Sequence, residues 1–151
     1  MDSLDDNEIL TDVDGFTFST PVRARFADTD AQGVAHNSAY LVWFEVARVE
    51  YLRAFAGGYQ ALRDHGVEAF VLESFCRYRT AAVFDDALVI HCRCRGLRGA
   101  RFRYEYAITR GEELVAEGHT EHACVDAATM RPTRVPAWLA EAIETAEGGS
   151  R

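Results

Sequence analysis

Apolar and polar positions alternate near the start of the chain. Phe16, Phe18, Val22, Ala24 and Phe26 fall on even numbers, with Thr17, Ser19, Arg23 and Arg25 between them. A period of two predicts a half-buried strand with the even side chains inward. Pro21 lacks an N–H for the ladder, which predicts an edge or a bulge there. After a polar loop over residues 27–36, Asn37 or Ser38 is the expected cap of a helix reaching about Phe55. Tyr40, Leu41, Val42, Trp43, Phe44, Val46, Ala47, Val49, Tyr51, Leu52 and Phe55 put apolar groups on nearly every side of it. Such a helix is enclosed by its fold rather than lying on the surface. Gly57-Gly58 ends it, and a short helix is expected over residues 59–65.

Four more strands are predicted, over residues 69–79, 87–95, 101–109 and 114–126. Leu88, Ile90, Cys92 and Cys94 share one face, and Phe102, Tyr104, Tyr106 and Ile108 point inward from the next strand. The connections at 96–100 and 110–113 are short, so an antiparallel meander is expected. A last helix is expected to begin near Pro136. Only the sheet can cover the long helix. The pattern therefore predicts an α+β fold, an antiparallel five-stranded sheet wrapped around one buried helix. No repeat or linker divides the chain, so residues 16–147 read as one domain behind an acidic, flexible segment over residues 1–15.

Composition narrows the function. The 151 residues are 48% hydrophobic and 26% charged, as in soluble globular domains. The formal charge is −8, of which Asp2, Asp5, Asp6, Glu8, Asp12 and Asp14 supply −6. The rest is nearly balanced, and no nucleic-acid-binding motif is present, so a nucleic-acid partner is not expected. All 16 basic residues are Arg, which excludes lysine Schiff-base chemistry. No apolar run is long enough for a membrane span, and the acidic N-terminus does not read as a secretory signal. Four cysteines without such a signal point to a reduced, cytoplasmic setting. G-x-S-x-G, P-loop and dinucleotide fingerprints are missing. His119 and His122 are spaced to opposite faces of a strand, and Cys92 and Cys94 share an apolar face, so no metal site is expected.

The loop before the long helix has the most unusual chemistry. It places Asp28, Asp30 and His36 between a strand end and a helix N-terminus. Unpaired N–H groups there can hold a developing oxyanion. Taken alone, the spacing favours aspartates that only make Asx-turns, with Gly33 supplying a positive φ.

The stretch Phe26-Ala27-Asp28-Thr29-Asp30-Ala31-Gln32-Gly33-Val34-Ala35-His36-Asn37-Ser38-Ala39-Tyr40, followed by Phe44-Glu45-Val46-Ala47-Arg48, resembles the hotdog-fold acyl-CoA thioesterases, and within them the 4-hydroxybenzoyl-CoA thioesterase branch. The resemblance continues through Arg77-Tyr78-Arg79-Thr80-Ala81-Ala82-Val83-Phe84-Asp85-Asp86, where Ala81 and Asp85 replace the family's usual proline and glycine. It continues again through residues 118–126, Arg131-Pro132 and Val135-Pro136. It implies a hotdog fold that hydrolyses an acyl-CoA to a free acid and coenzyme A. Asp30 would be the catalytic carboxylate and Asp28 a loop-ordering one. Two protomers would join their sheets with the sites at their interface, as a homodimer or a homotetramer. No cofactor is implied, coenzyme A being part of the substrate. An acyl carrier protein is an alternative carrier.

The chemistry suits a thioester. A thiol leaves readily as thiolate, so one carboxylate and an oxyanion site can suffice. Backbone N–H groups around His36, Asn37 and Ser38 are the expected oxyanion donors. Asp30 acts as general base on water or as nucleophile. His36 can orient substrate or water, or make a plain loop contact. Tyr40 can line the acyl pocket or pack in the core, and the same choice holds for Trp43, Phe44, Phe70, Phe75 and Tyr78. Glu45 and Arg48 are expected to pair on the helix. Arg93, Arg95, Arg98, Arg101 and Arg103 form either a solvated, acid-paired face or a clamp for coenzyme A phosphates. By the resemblance, Arg98 lies where the family often places such an arginine; the usual basic companion is replaced by Gly99 and Ala100, with Arg101 as its substitute. Two rival functions remain: an enoyl-thioester hydratase or dehydratase using His36 with Asp30, and a non-catalytic acyl-thioester binder.

Overall fold

The computed structural model describes Val13 and residues 15–148. The acidic segment expected over residues 1–15 lies outside them except for Val13 and Gly15. The elements are β1 (Phe18–Arg23), a 3-10 turn (Phe26–Asp28), α1 (Asn37–Phe55), α2 (Gly58–Asp64), β2 (Val67–Tyr78), β3 (Ala87–Arg98), β4 (Arg101–Arg110), β5 (Glu113–Asp126) and α3 (Ala137–Ala146). The five strands form one antiparallel sheet in the order β1-β3-β4-β5-β2. This is the α+β hotdog architecture, with the sheet curled around α1.

Register explains the core. Cys92, Tyr106, Gly118 and Cys76 lie side by side across four strands on the face toward α1. Phe44 of α1 stacks on Tyr106, with centroids 4.1 Å apart and planes 5° from parallel. Gly118 makes this possible. A Cβ there would meet Phe44 Cε2 at 2.9 Å and the Phe75 carbonyl oxygen at 2.0 Å.

A buried polar chain runs beside this stack. Thr120 Oγ1 lies 2.7 Å from the Tyr106 hydroxyl and 2.7 Å from His122 Nε2. Arg48 Nη1 donates to the Tyr106 hydroxyl at 3.5 Å. Burial, with a smaller contribution from the Arg48 charge, pushes His122 down to about 3.

Several expectations are corrected. β2 does not continue the meander: only β3, β4 and β5 do, while β2 pairs with β5 at the far edge. Phe26 is 76% exposed, because the 3-10 turn breaks the strand period after Arg23. α1 is not enclosed on all sides, since Leu41, Val42 and Glu45 are exposed in the single chain. His36 is the N-cap residue, not Asn37 or Ser38, and its side chain makes no cap bond. Arg48 turns to Tyr106, and no ion pair with Glu45 forms among the described residues. Phe70 and Phe75 project from the sheet face away from α1, so they cannot line a pocket beside it.

Candidate active site

The loop between β1 and α1 is tied at both ends. Asp28, 3% exposed, accepts from the Arg25 backbone N–H at 2.8 Å and from its guanidinium at 2.8 and 3.2 Å. These bonds to Arg25 hold its carboxyl below the usual range, against the opposing effect of burial. The Asp28 carbonyl accepts from the His36 N–H at 2.9 Å, so the loop closes at the helix start. Between these points the Asp30 N–H donates to the Val34 carbonyl at 3.0 Å, and the Gly33 N–H donates to the Asp30 carbonyl at 2.9 Å. Gly33 has φ +83° with nothing near its absent Cβ, so its role there is conformational.

Asp30 Oδ1 accepts the Gln32 N–H at 2.8 Å, an Asx-turn that fixes the carboxylate on the backbone. Oδ2 has no hydrogen-bond partner among the described residues. The carboxylate borders a cleft of about 520 Å3, together with His36, Asn37, Tyr40, Tyr78, Arg79 and Thr80. Candidate residues from the loop and the first helical turn thus meet the end of β2.

The helix N-terminus supplies donors. The Ala39 N–H is satisfied by the His36 carbonyl at 3.0 Å. The Asn37 and Ser38 N–H groups have no acceptor among the described residues. In an α-helix such groups point back along the axis, out of the N-terminus. His36 Nδ1 lies 2.7 Å from Ser38 Oγ. The Tyr40 hydroxyl accepts from the Ala82 N–H at 3.2 Å, and its buried ring packs edge-on against Tyr78 at 4.9 Å.

Not every candidate arrives here. Arg98 and Arg101 flank the β3–β4 hairpin, at the opposite end of the strands from the cleft. Register puts Arg101 beside Ala123 and Phe70, whereas Tyr78 lies beside Ala116. At about 3.4 Å per residue, the two ends are roughly 25 Å apart. Arg93, Arg95 and Arg103 form the acid-paired face: Arg93 meets Glu105 at 2.7 Å and Arg103 meets Glu121 at 2.5 Å. His119 and His122 lie on opposite faces of β5. Among the described residues, no group of three or more His, Cys, Asp or Glu side chains is placed to hold a metal ion.

Sequence reasoning missed the contribution of the 79–81 segment to the cleft, whereas the bond from the Gln32 amide to Asp30 is the Asx-turn that the spacing favours. The Arg79 and Thr80 N–H groups both donate to the Val115 carbonyl, which folds that segment back toward the loop. No local pattern announces this.

A family model described as thioesterase-like superfamily matches residues 24–143, which span the loop, the helix and the whole sheet except β1. The chain belongs to this family. Among its relatives is an acyl-CoA thioesterase YbgC from Haemophilus influenzae, 36% identical over 120 residues, covering 79% of this chain and 88% of that protein. A hypothetical protein from Aquifex aeolicus has a similar crystal structure, with TM-score 0.79 and 31% identity over 83% of this chain and 98% of that one. So has a thioesterase from Thermus thermophilus complexed with coenzyme A and zinc, with TM-score 0.78 and 25% identity over 89% and 97%. This hotdog protein is a thioester hydrolase. None of its described helices is long and apolar enough to cross a membrane.

Proposed function

We propose that the protein hydrolyses acyl-CoA thioesters, with Asp30 as the reacting carboxylate and the Asn37 and Ser38 N–H groups as the oxyanion site. The observation that carries this reading is the pairing in one cleft of a backbone-fixed carboxylate with a helix N-terminus bearing two donors that have no acceptor among the described residues. The carbonyl oxygen of the thioester sits at those amides, where negative charge develops as the carbon turns tetrahedral. Asp30 Oδ2 faces the carbonyl carbon, directly or through one water. The thiolate then leaves without a strong general acid. The acyl-CoA thioesterase relative from H. influenzae supports the choice of carrier.

The working unit in this reading is a pair of protomers. Among the described residues β2 is a free edge of twelve residues, with Phe70, Val71, Leu72 and Phe75 exposed on it. A long apolar edge invites antiparallel pairing with another strand. A two-fold axis through β2 sets the partner's hairpin end beside this protomer's cleft end, since the strands run oppositely. The partner's Arg98 and Arg101 then reach toward the same cleft, where they hold coenzyme A phosphates. This removes the conflict posed by the distance between those arginines and Asp30 within one chain.

The test is a thiol-release assay over acetyl-, hexanoyl-, palmitoyl- and benzoyl-CoA. Release from at least one, at a rate well above buffer, is expected. Hydration of crotonyl-CoA without thiol release would instead establish the hydratase reading. Single turnover in ¹⁸O-water tests the nucleophilic route, because water attack on the aspartyl carbonyl of the anhydride leaves label in the Asp30 carboxylate, which the base route never does.

A further inference from the structure

Tyr78 stands at the end of β2, over forty residues from the helix start in sequence, yet its hydroxyl donates to the Asn37 carbonyl at 2.9 Å. That carbonyl belongs to the first residue of α1, and it shares a rigid planar peptide with the Ser38 N–H. In a trans peptide the two groups point in opposite directions. Fixing the oxygen therefore fixes the N–H. A hydrogen bond accepted by the oxygen also polarises the amide and makes its N–H a stronger donor. The Ser38 N–H is one of the two groups at this helix start without an acceptor among the described residues.

We propose that Tyr78 is a positioning residue, which holds the Asn37–Ser38 peptide so that the Ser38 N–H is oriented and strengthened as an oxyanion donor. The inference rests on the hydrolase reading above and adds a residue to it. Three observations support it. The Tyr78 ring is braced edge-on by Tyr40, whose hydroxyl is occupied by the Ala82 N–H, so the phenol is held from behind. Tyr78 itself lines the cleft beside Asp30. Its phenol is pushed up to about 12, chiefly by burial, and so remains a donor throughout neutral and mildly alkaline pH.

The test is Tyr78→Phe, which keeps the ring and removes only the hydroxyl. Steady-state hydrolysis of hexanoyl- and benzoyl-CoA is measured together with the amide ¹⁵N resonances of the full chain. Losing a whole oxyanion donor costs roughly a hundredfold or more, and losing only its support is expected to lower kcat about three- to tenfold. KM and the thermal midpoint stay unchanged, and the Ser38 amide moves upfield while amides in the middle of β3 do not. An unmoved Ser38 resonance, or an unchanged kcat, overturns the proposal. A raised KM with constant kcat overturns it too, by making Tyr78 a substrate contact. Failure of the underlying reading looks different: the unmodified chain releases no thiol from either probe, or Asp30→Asn keeps its rate. Either result removes the proposal along with that reading.

Discussion

Asp28 is folded onto Arg25. The carboxylate is buried, the guanidinium covers it from the solvent side, and the Arg25 backbone N–H completes the set at 2.8 Å. This three-residue clasp fixes where the strand stops and the loop carrying Asp30 begins. Asp28→Ala leaves the Arg25 N–H without its acceptor and is expected to lower stability by about 1–3 kcal/mol. Turnover should fall with it, because the loop loses its anchor. The pH dependence has a definite sign. The carboxyl is held below its unfolded value, so its contribution is complete above about pH 4 and fades as pH falls through the lowered folded value. Thermal melts of both proteins between pH 2 and 7 check this, since the gap between them should close only at the acid end.

Gly118→Ala tests the central stack. The added methyl would sit 2.0 Å from the Phe75 carbonyl oxygen and 2.9 Å from the Phe44 ring. The first of these is backbone on a paired strand and cannot swing aside. A loss of several kcal/mol, on the order of the largest overpacking effects, or outright failure to fold is expected. Urea unfolding of the soluble fraction measures it.

His122 makes the core sensitive to acid. Its imidazole is buried and neutral, pushed down to about 3, whereas in the unfolded chain it titrates near 6.5. Below pH 6.5 the unfolded state takes up a proton that the folded state refuses. Stability should therefore fall by up to ~1.4 kcal/mol per pH unit from about 6.5 down to about 3 from this group alone. His122→Gln should flatten that part of the profile. Denaturant midpoints at half-unit pH steps compare the two.

The exposed β2 edge should be covered by a second copy. Leu72 stands at a register shift between Val71 and Glu73 and is half exposed, so Leu72→Asp leaves the single chain's core untouched. Light scattering should show the mass drop to that of one chain, with thiol release lost in parallel. A variant that is monomeric and fully active would remove the composite site.

The period-two runs through β3 and the first half of β4 were legible because those stretches are buried on one face, whereas β5 is buried on both faces along much of its length. Cys92 and Tyr106 follow directly from that alternation. Alternation does not say which strand stands beside which. The 79–86 connection is long enough to cross the sheet, and it carries the chain from one edge to the strand beside the other. Phe26 was misjudged for a local reason: the clasp of Asp28 on Arg25 bends the chain before the alternation reaches it. The Asp30 loop was recognisable through the resemblance carried by residues 26–40, since the spacing of Asp28, Asp30, Gly33 and His36 taken alone also reads as plain Asx-turns. Its surroundings were not, because the bonds Tyr78 to Asn37 and Ala82 to Tyr40 span about forty residues. Arg98 and Arg101 show the same limit. Their place at the hairpin was clear, although Arg98 ends β3 rather than lying in the connection, but the end of the sheet they occupy became clear only with the register.

The central claim is that the Asp30 carboxylate does the chemistry at carbonyls held by the start of α1, and Asp30→Asn tests it most directly. The amide keeps an oxygen to accept the Gln32 N–H, so the loop should hold and the melting temperature should stay as it was. Thiol release from the acyl-CoA the unmodified enzyme cleaves fastest is predicted to fall by at least about a hundredfold. Retention of half or more of that rate by Asp30→Asn would contradict the account.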